Sequence, residues 1–383
     1  MQTLLEHFCA RDDLSTYDPY DIWKTSLGFR IKDLYNRRPR AGLMPAALLT
    51  LFDDLVNNRR RLFYSRKEYP IVRAFAALSL LNLYRRNGKR QLLEFAGRHL
   101  EWLAAHPCTG YRGYGWGLGF PYAVTRDVIY GPNTPLSTMT PYALEAFVRF
   151  REISGDARFD SVTEAVYRFF EQDIQVMEED GETMATSYGP FRDRIVINAV
   201  SYAMYAYSLF LASAAGERRA SIETKIGKLY GYVRKTQAAD GSWFYSPQGR
   251  SFIDCFHSCI VLKNLAKTSR ALPLEGVASV IGRGYEYLKR NMLDADNFLF
   301  RRFAVSNKPS IVKFDLYDNA EALNLAMLLG DTPLAEKLLQ SVSSHFCDGL
   351  DIYSQIDLIG ARRNRNMLRW AVMPFLYAVS QIA

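Results

Sequence analysis

The stretch INAVSYAMYAYSLFLASAAGERRASIETKIGKLYGYVRK (197–235), with DGSWFYSPQGRSFIDCFHS (240–258) after it, decides the fold. Its first part is apolar on every side and carries small residues at Ala199, Ala203 and Ala206, as a helix packed all round requires. The turn AAGER follows, then an amphipathic helix, then a loop dense in Trp, Tyr, Arg and Asp. The same order recurs in PYALEAFVRFREISGDARF (141–159), DCFHSCIVLKNLAKTSRALP (254–273) and DNAEALNLAMLLGDTPLAEKLL (318–339). A unit repeated at roughly 50–70 residues cannot hide its apolar face alone and must stack on copies of itself.

Helical pairs are expected at 70–87 with 91–106, and within 139–174, 195–237, 252–292 and 316–346. Their turns supply Gly, Asp or Pro as stop and start signals. Residues 18–37 and 43–58 read as two more helices. A last helix at 365–382 has no partner after it, so an N-terminal helix is expected to complete that pair. The expectation is all-α: an (α/α)6 toroid over residues 1–383 as one domain. The first helix of each hairpin lies inside, and the entry loops gather at one end. Alternation of the β type is confined to short stretches.

Of the 383 residues 49% are hydrophobic, ample for a large core, and no Ser/Gly/Pro-rich linker divides them. A net charge of +8 is moderate and spread out. Without a zinc-finger, RRM-like or KH-like signature it gives no reason for a nucleic-acid partner, and it suits an anionic substrate. Cys9, Cys108, Cys255, Cys259 and Cys347 have neither disulfide-framework nor zinc-site spacing, so no metal is expected. Walker A, strand-linked GxGxxG, GxSxG and HExxH motifs are absent, so no cofactor is expected either. The start, MQTLLEHFCARDD, lacks a leader pattern, and no window approaches about 18 uncharged apolar residues. The expected location is the cytoplasm, with peripheral attachment to a polysaccharide assembly complex at the inner membrane surface left open.

Five loops entering the inner helices share a composition. The first, 107–137, holds Tyr111, Arg112 and Trp116; the second, 186–198, holds Tyr188, Arg192, Arg194 and Asn198. The third, 240–258, holds Trp243, Tyr245, Arg250, Asp254 and His257; the fourth, 310–322, holds Asp315 and Asp318; the fifth is ARRNRNMLRW (361–370). Aromatic faces stack on sugar C–H groups and arginine forks hold carboxylates, so the recurrence points to a carbohydrate site. The competing role for each aromatic is a wedge between repeats. His257, three residues after Asp254 on one helical face, is the expected general base or acid; a core histidine is the alternative. Asp315 and Asp318, with Asp254 or Asp193 across the ring, are candidates for a hydrolytic carboxylate pair, although Asp318 reads first as the N-cap of its helix.

GYGWGLGFPY, TPLSTMTPYALEAFVRFREISGDARF, DGSWFYSPQGRSFIDCFHS and FDLYDNAEAL, covering roughly residues 107–330, resemble (α/α)-toroid proteins of capsule and exopolysaccharide biosynthesis clusters. A more distant resemblance is to the helical catalytic domain of glucuronyl C5-epimerases. There a TPLS-like stretch precedes an inner helix, and a Tyr-containing loop precedes an Asn-led helix, here Tyr188 and Asn198. The acidic Tyr-Glu-Glu-Tyr-Pro loop of those epimerases is replaced by SYGPFRDR, so only Tyr188 carries over. These resemblances imply action on an acidic, uronate-containing oligo- or polysaccharide or its lipid-linked precursor. The expected step is C5 proton abstraction by His257 or a Tyr, of epimerase or lyase type, with arginines neutralising the carboxylate. A glycoside hydrolase using an Asp pair and a non-catalytic polysaccharide-binding or assembly factor are the alternatives.

Overall fold

The computed structural model describes residues 2–248, 251–306 and 310–382. Its helices are α1 (Gln2–Cys9), α2 (Ser26–Arg37), α3 (Pro39–Phe52), the single turn α4 (Asn58–Arg60), α5 (Pro70–Asn87), α6 (Arg90–Ala105), α7 (Thr140–Ser154) and α8 (Asp160–Arg168). There follow α9 (Ile197–Phe210), α10 (Gly216–Lys235), α11 (Cys255–Ala271), α12 (Val277–Met292), α13 (Leu316–Leu329), α14 (Thr332–Phe346) and α15 (Met373–Ser380). Ends fall where the sequence supplies caps. Asp315 and Asp331 accept the Tyr317 and Leu334 amides at the starts of α13 and α14. Gly155 and Gly330, at φ 72° and 76°, end α7 and α13.

Every residue of α9 but Leu209 is buried, and α5 and α13 are nearly as enclosed. Such helices can only lie inside. Helix α5 packs on α7, α7 on α9, α9 on α11, α11 on α13, α13 on α15, and α15 back on α5, which closes a ring of six. Outside it, α6, α8, α10, α12 and α14 each back the inner helix that precedes them. They bury one stripe only, as in Val162, Ala165 and Val166 of α8. The twelfth helix of the ring is α1, which packs on α15 and α5. The (α/α)6 toroid is therefore present, and the N-terminal helix that completes its last pair is α1.

Three regions differ from expectation. Residues 18–37 divide into a 3-10 turn at Asp21–Lys24 and α2, and α2 and α3 form a hairpin outside the ring. Residues 347–365, with Val312–Asp315, form a four-stranded antiparallel sheet. The expected helix at 365–382 begins late because Asn364 and Asn366 take φ 60° and 56° around the strand Arg362–Arg365, and Ala371 takes φ 146°. Asparagine tolerates that conformation better than most residues, and it stops a helix.

The ring axis is charged. Lys263 of α11 pairs with Glu321 of α13, and Lys267 of α11 with Glu145 of α7 at 2.8 Å, all nearly enclosed. At the ring's closure the Leu368 amide donates to Thr16 Oγ1 at 3.0 Å, and Asp18 takes both Arg369 and Lys24. Burial alone would raise the Asp18 carboxyl, but Arg369 and Lys24 outweigh it and hold it down at about 2.

Two outcomes are expected. Lys263→Ala leaves Glu321 an uncompensated buried charge and lowers stability by about 3–5 kcal/mol, while Lys263→Met with Glu321→Leu recovers most of it; chemical denaturation of the three proteins checks this. Asp18 is depressed on folding, so its contribution, roughly 2 kcal/mol, is complete above the unfolded value near 4 and is lost as pH falls toward about 2. In acid titrations followed by circular dichroism, Asp18→Asn is less stable than the parent at pH 7 and lacks that part of the acid-induced loss.

Candidate active site

A cavity of about 590 Å³ opens at the end of the ring where the inner helices begin. That volume lies within the range of small-ligand sites, roughly 300–1,000 Å³. His257 sits in its wall, one residue pair past a short strand. Ile253 and Asp254 pair antiparallel with Val305 and Phe303, which sets the entry to α11. His257 Nδ1 lies 2.8 and 2.9 Å from the two Asp254 carboxylate oxygens. A carboxylate can only accept, so Nδ1 carries a proton, and Nε2 is the ring nitrogen left for other partners. The ring is held between Phe256 at 3.8 Å and Tyr245 at 4.6 Å between centroids.

Tyr188 reaches the same cavity from the second entry loop, where Ser137 donates twice to its carbonyl. Its ring carries the Arg194 guanidinium at 4.3 Å and lies parallel to Tyr130 at 6.2 Å. Arg194 has a carboxylate no nearer than Asp193, at 3.9 Å, and Asp193 itself takes the Tyr130 hydroxyl. Burial pulls the Arg194 guanidinium down, but the phenols of Tyr245, Tyr188 and Tyr130 push it above its usual range. Burial also raises Tyr245 and Tyr317 well above the ordinary phenol, so both remain neutral donors. Asn198, in the first turn of α9, lines the cavity, and its buried Oδ1 has no partner among the described residues.

Another part of the wall comes from chain segments far apart in sequence. Arg302 bonds Asp315 Oδ2 at 3.2 Å and Tyr20 OH at 3.3 Å; Arg369 is bound by Asp18; Lys24 bonds Asp21 at 2.8 Å and Tyr69 OH at 2.7 Å. Trp370 stacks on Tyr317 at 4.5 Å and 16°, a flat platform of the kind a sugar ring covers. Lysine, arginine and histidine thus face the cavity, and among the described residues no Asp or Glu lines it. No group of three or more His, Cys, Asp or Glu among them could hold a metal ion.

Of the residues singled out from sequence, His257, Tyr188, Arg194, Asn198 and Tyr245 meet in this cavity, with Asp254 directly behind His257. The others stand elsewhere. Trp116 is fully buried, its indole donating to the Leu103 carbonyl; Trp243 donates to Val233 and fills the space that Gly284 leaves open. Both are wedges. Tyr111 and Arg112 are outside the cavity, and Arg192 is exposed one turn of chain away from Arg194. Arg250 lies outside the described residues. Asp315 is committed to the Tyr317 amide, Trp370, Gln355 and Arg302. Asp318 is not the cap of α13: its Oδ1 accepts the Phe256 amide of α11, and burial raises its carboxyl far above the usual range. Neither aspartate reaches the cavity wall. Tyr20, Lys24, Arg302 and Arg369 were not singled out. Arg369 and Trp370 do end the fifth entry loop, but only the folded chain joins them to Tyr20 and Lys24.

No protein-family model and no curated protein matches the chain. Solved structures match its fold. A cellobiose 2-epimerase from Bacillus thermoamylovorans superposes with a TM-score of 0.64 over 82% of this chain and 88% of that one, at 9% identity. An α-mannanase of Bacteroides thetaiotaomicron gives 0.61 over 95% and 98%, at 8% identity. A polysaccharide lyase gives 0.56 over 94% and 97%, at 11% identity. At these identities the likeness is one of architecture, and the architecture is the (α/α)6 toroid.

Proposed function

We propose that this protein is a carbohydrate-active enzyme that removes the C5 proton of a uronate residue in an acidic glycan. The observation that carries the reading is a cavity wall of aromatic rings, cations and one Asp-held histidine, with no carboxylate among the described lining residues. A sugar acid brings its own negative charge, and a wall of acids would repel it. Arg194, whose nearest carboxylate is Asp193 at 3.9 Å, takes the substrate carboxylate, and the unpartnered Asn198 Oδ1, an acceptor in the same wall, takes a hydroxyl of the same sugar. His257 Nε2 accepts the C5 proton, and the electron pair left behind spreads onto the carboxylate, where the fixed cations meet the growing charge.

The carbanion then has two exits. A proton returned from Tyr188 to the other sugar face gives the epimer. Departure of the group on C4, with Tyr188 protonating its oxygen, gives a C4–C5 double bond. An epimerase, a polysaccharide lyase and a glycoside hydrolase are all among the similarly folded structures, so the fold accommodates both outcomes and the choice rests on the cavity's own residues. Glycoside hydrolysis by an Asp pair is disfavoured because it needs two carboxyl groups flanking the scissile bond, and Asp254 and Asp315 both stand behind other side chains. The resemblance to capsule and exopolysaccharide proteins supports a cytoplasmic role in surface-polysaccharide biosynthesis, on the polymer or its lipid-linked precursor.

With a uronate oligosaccharide in deuterated water, the wild type introduces deuterium at C5 or produces an unsaturated end group, read by NMR. His257→Ala lowers the rate by about 10²–10⁴. It also leaves the buried Asp254 unpaired and lowers the melting temperature, so His257→Gln, which keeps a donor for Asp254, is compared beside it and loses the activity with less of the stability. Asp254→Asn, which frees the imidazole to turn, lowers kcat more than it raises KM. Unlabelled product cleaved to a reducing sugar, or unimpaired exchange in His257→Ala, overturns the reading. Tight glycan binding with no product in either protein identifies a binding factor instead.

A further inference from the structure

The α2–α3 hairpin has no place in the ring, and Gly42 is the one buried residue of α3. It is nonetheless firmly built. A Cβ on Gly42 would lie 2.3 Å from Tyr35 Cα, so the two helices touch backbone to backbone, and a Cβ on Gly28 would strike the Ile22 carbonyl at 1.9 Å. Its base is tied down by Arg363 to the Asp54 carbonyl at 2.6 Å and by Arg61 to Asn364 at 2.6 Å. What it turns outward is apolar. Among the described residues, twelve of the 23 exposed large hydrophobic side chains lie between Leu27 and Phe63, so this surface is concentrated rather than scattered. Met44, Leu48, Leu51 and Leu55, spaced by four, three and four, form one stripe, and Phe63 is 88% exposed.

The charges around the stripe have one sign. Arg30, Arg37, Arg38, Arg40, Arg59 and Arg60 are exposed, while no acidic residue from 26 to 63 is. Asp33 is paired with Arg37, and Asp53 is buried. A protein partner would need a matching acidic apolar groove. An anionic bilayer supplies both features over any area, with lipid phosphates for the arginines and acyl chains for the leucines. No helix among the described residues is long and apolar enough to cross a membrane, so the contact is at the surface. Phe29 and Lys32 of α2 also border the cavity, which sets the site beside the hairpin.

We infer that the α2–α3 hairpin seats the protein on anionic phospholipid, with the hairpin side of the cavity at headgroup level. The docking does not depend on the chemistry proposed for His257; only the corollary, that the glycan is presented from a lipid, rests on it. The full chain is sedimented with vesicles of phosphatidylglycerol and phosphatidylethanolamine, and with vesicles of phosphatidylcholine. The anionic vesicles are expected to bind at least about tenfold more protein, with the difference shrinking as salt rises. Leu48→Ser with Leu51→Ser, and separately Arg38→Glu with Arg40→Glu and Arg59→Glu, each lose that binding at an unchanged melting temperature, whereas His257→Ala keeps it. Absence of binding to anionic vesicles overturns the inference, as does undiminished binding by both sets of variants. A dimer by light scattering that Leu48→Glu dissociates, in a protein that ignores vesicles, overturns it in favour of a second copy.

Discussion

Three buried carboxylates stand one layer behind the cavity and hold its bases in place. Asp18 takes Arg369 and Lys24, Asp254 takes His257, and Asp315 takes Arg302 and the Trp370 indole. None is more than 3% exposed. A buried carboxylate is tolerated only when it is paired, and a cation pointed into a cavity is held there only when something anchors its stem. The same contacts therefore stabilise the ring and fix the polarity of the site. Arg194 is held differently: it lies over the Tyr130 and Tyr188 rings, and its carboxylate neighbour Asp193, at 3.9 Å, also takes the Tyr130 hydroxyl.

The anchoring also explains what the chain disclosed by itself. The ring was legible because an all-apolar helix followed by an amphipathic one has few ways to hide its surface, and residues 197–235 state that plainly. His257 with Asp254 was legible because a spacing of three on a helix is a contact. The aromatics were ambiguous for a physical reason. A tryptophan wedged between repeats and one facing a sugar both need a large flat side chain on a glycine-rich loop, so Trp116 and Trp243 looked like site residues. In PFRDR the sequence offers Arg192 and Arg194 alike, and only the turn of the chain turns one inward. The Asp18–Arg369 pair joins residues 351 positions apart, beyond any local pattern. The sheet over 347–365 left a faint trace in the alternation of DIYSQID, masked by helix-like residues on both sides.

A toroid of helical hairpins serves many reactions, and its loops decide which. Here the loops build a cavity that holds cations and phenols in front and acids behind. That order suits a reaction in which the substrate carries the negative charge and the protein must stabilise more of it. The apolar, arginine-rimmed hairpin stands beside this cavity, outside the ring.

The account stands most directly on charge recognition, so the decisive measurement is calorimetric titration of a uronate oligosaccharide against the same oligosaccharide with its carboxyl groups reduced to alcohols. The cation-lined cavity predicts that reduction weakens binding by about tenfold or more, and that Arg194→Gln abolishes the preference. Equal affinity for the two glycans, with Arg194 replaceable at no cost, would contradict it.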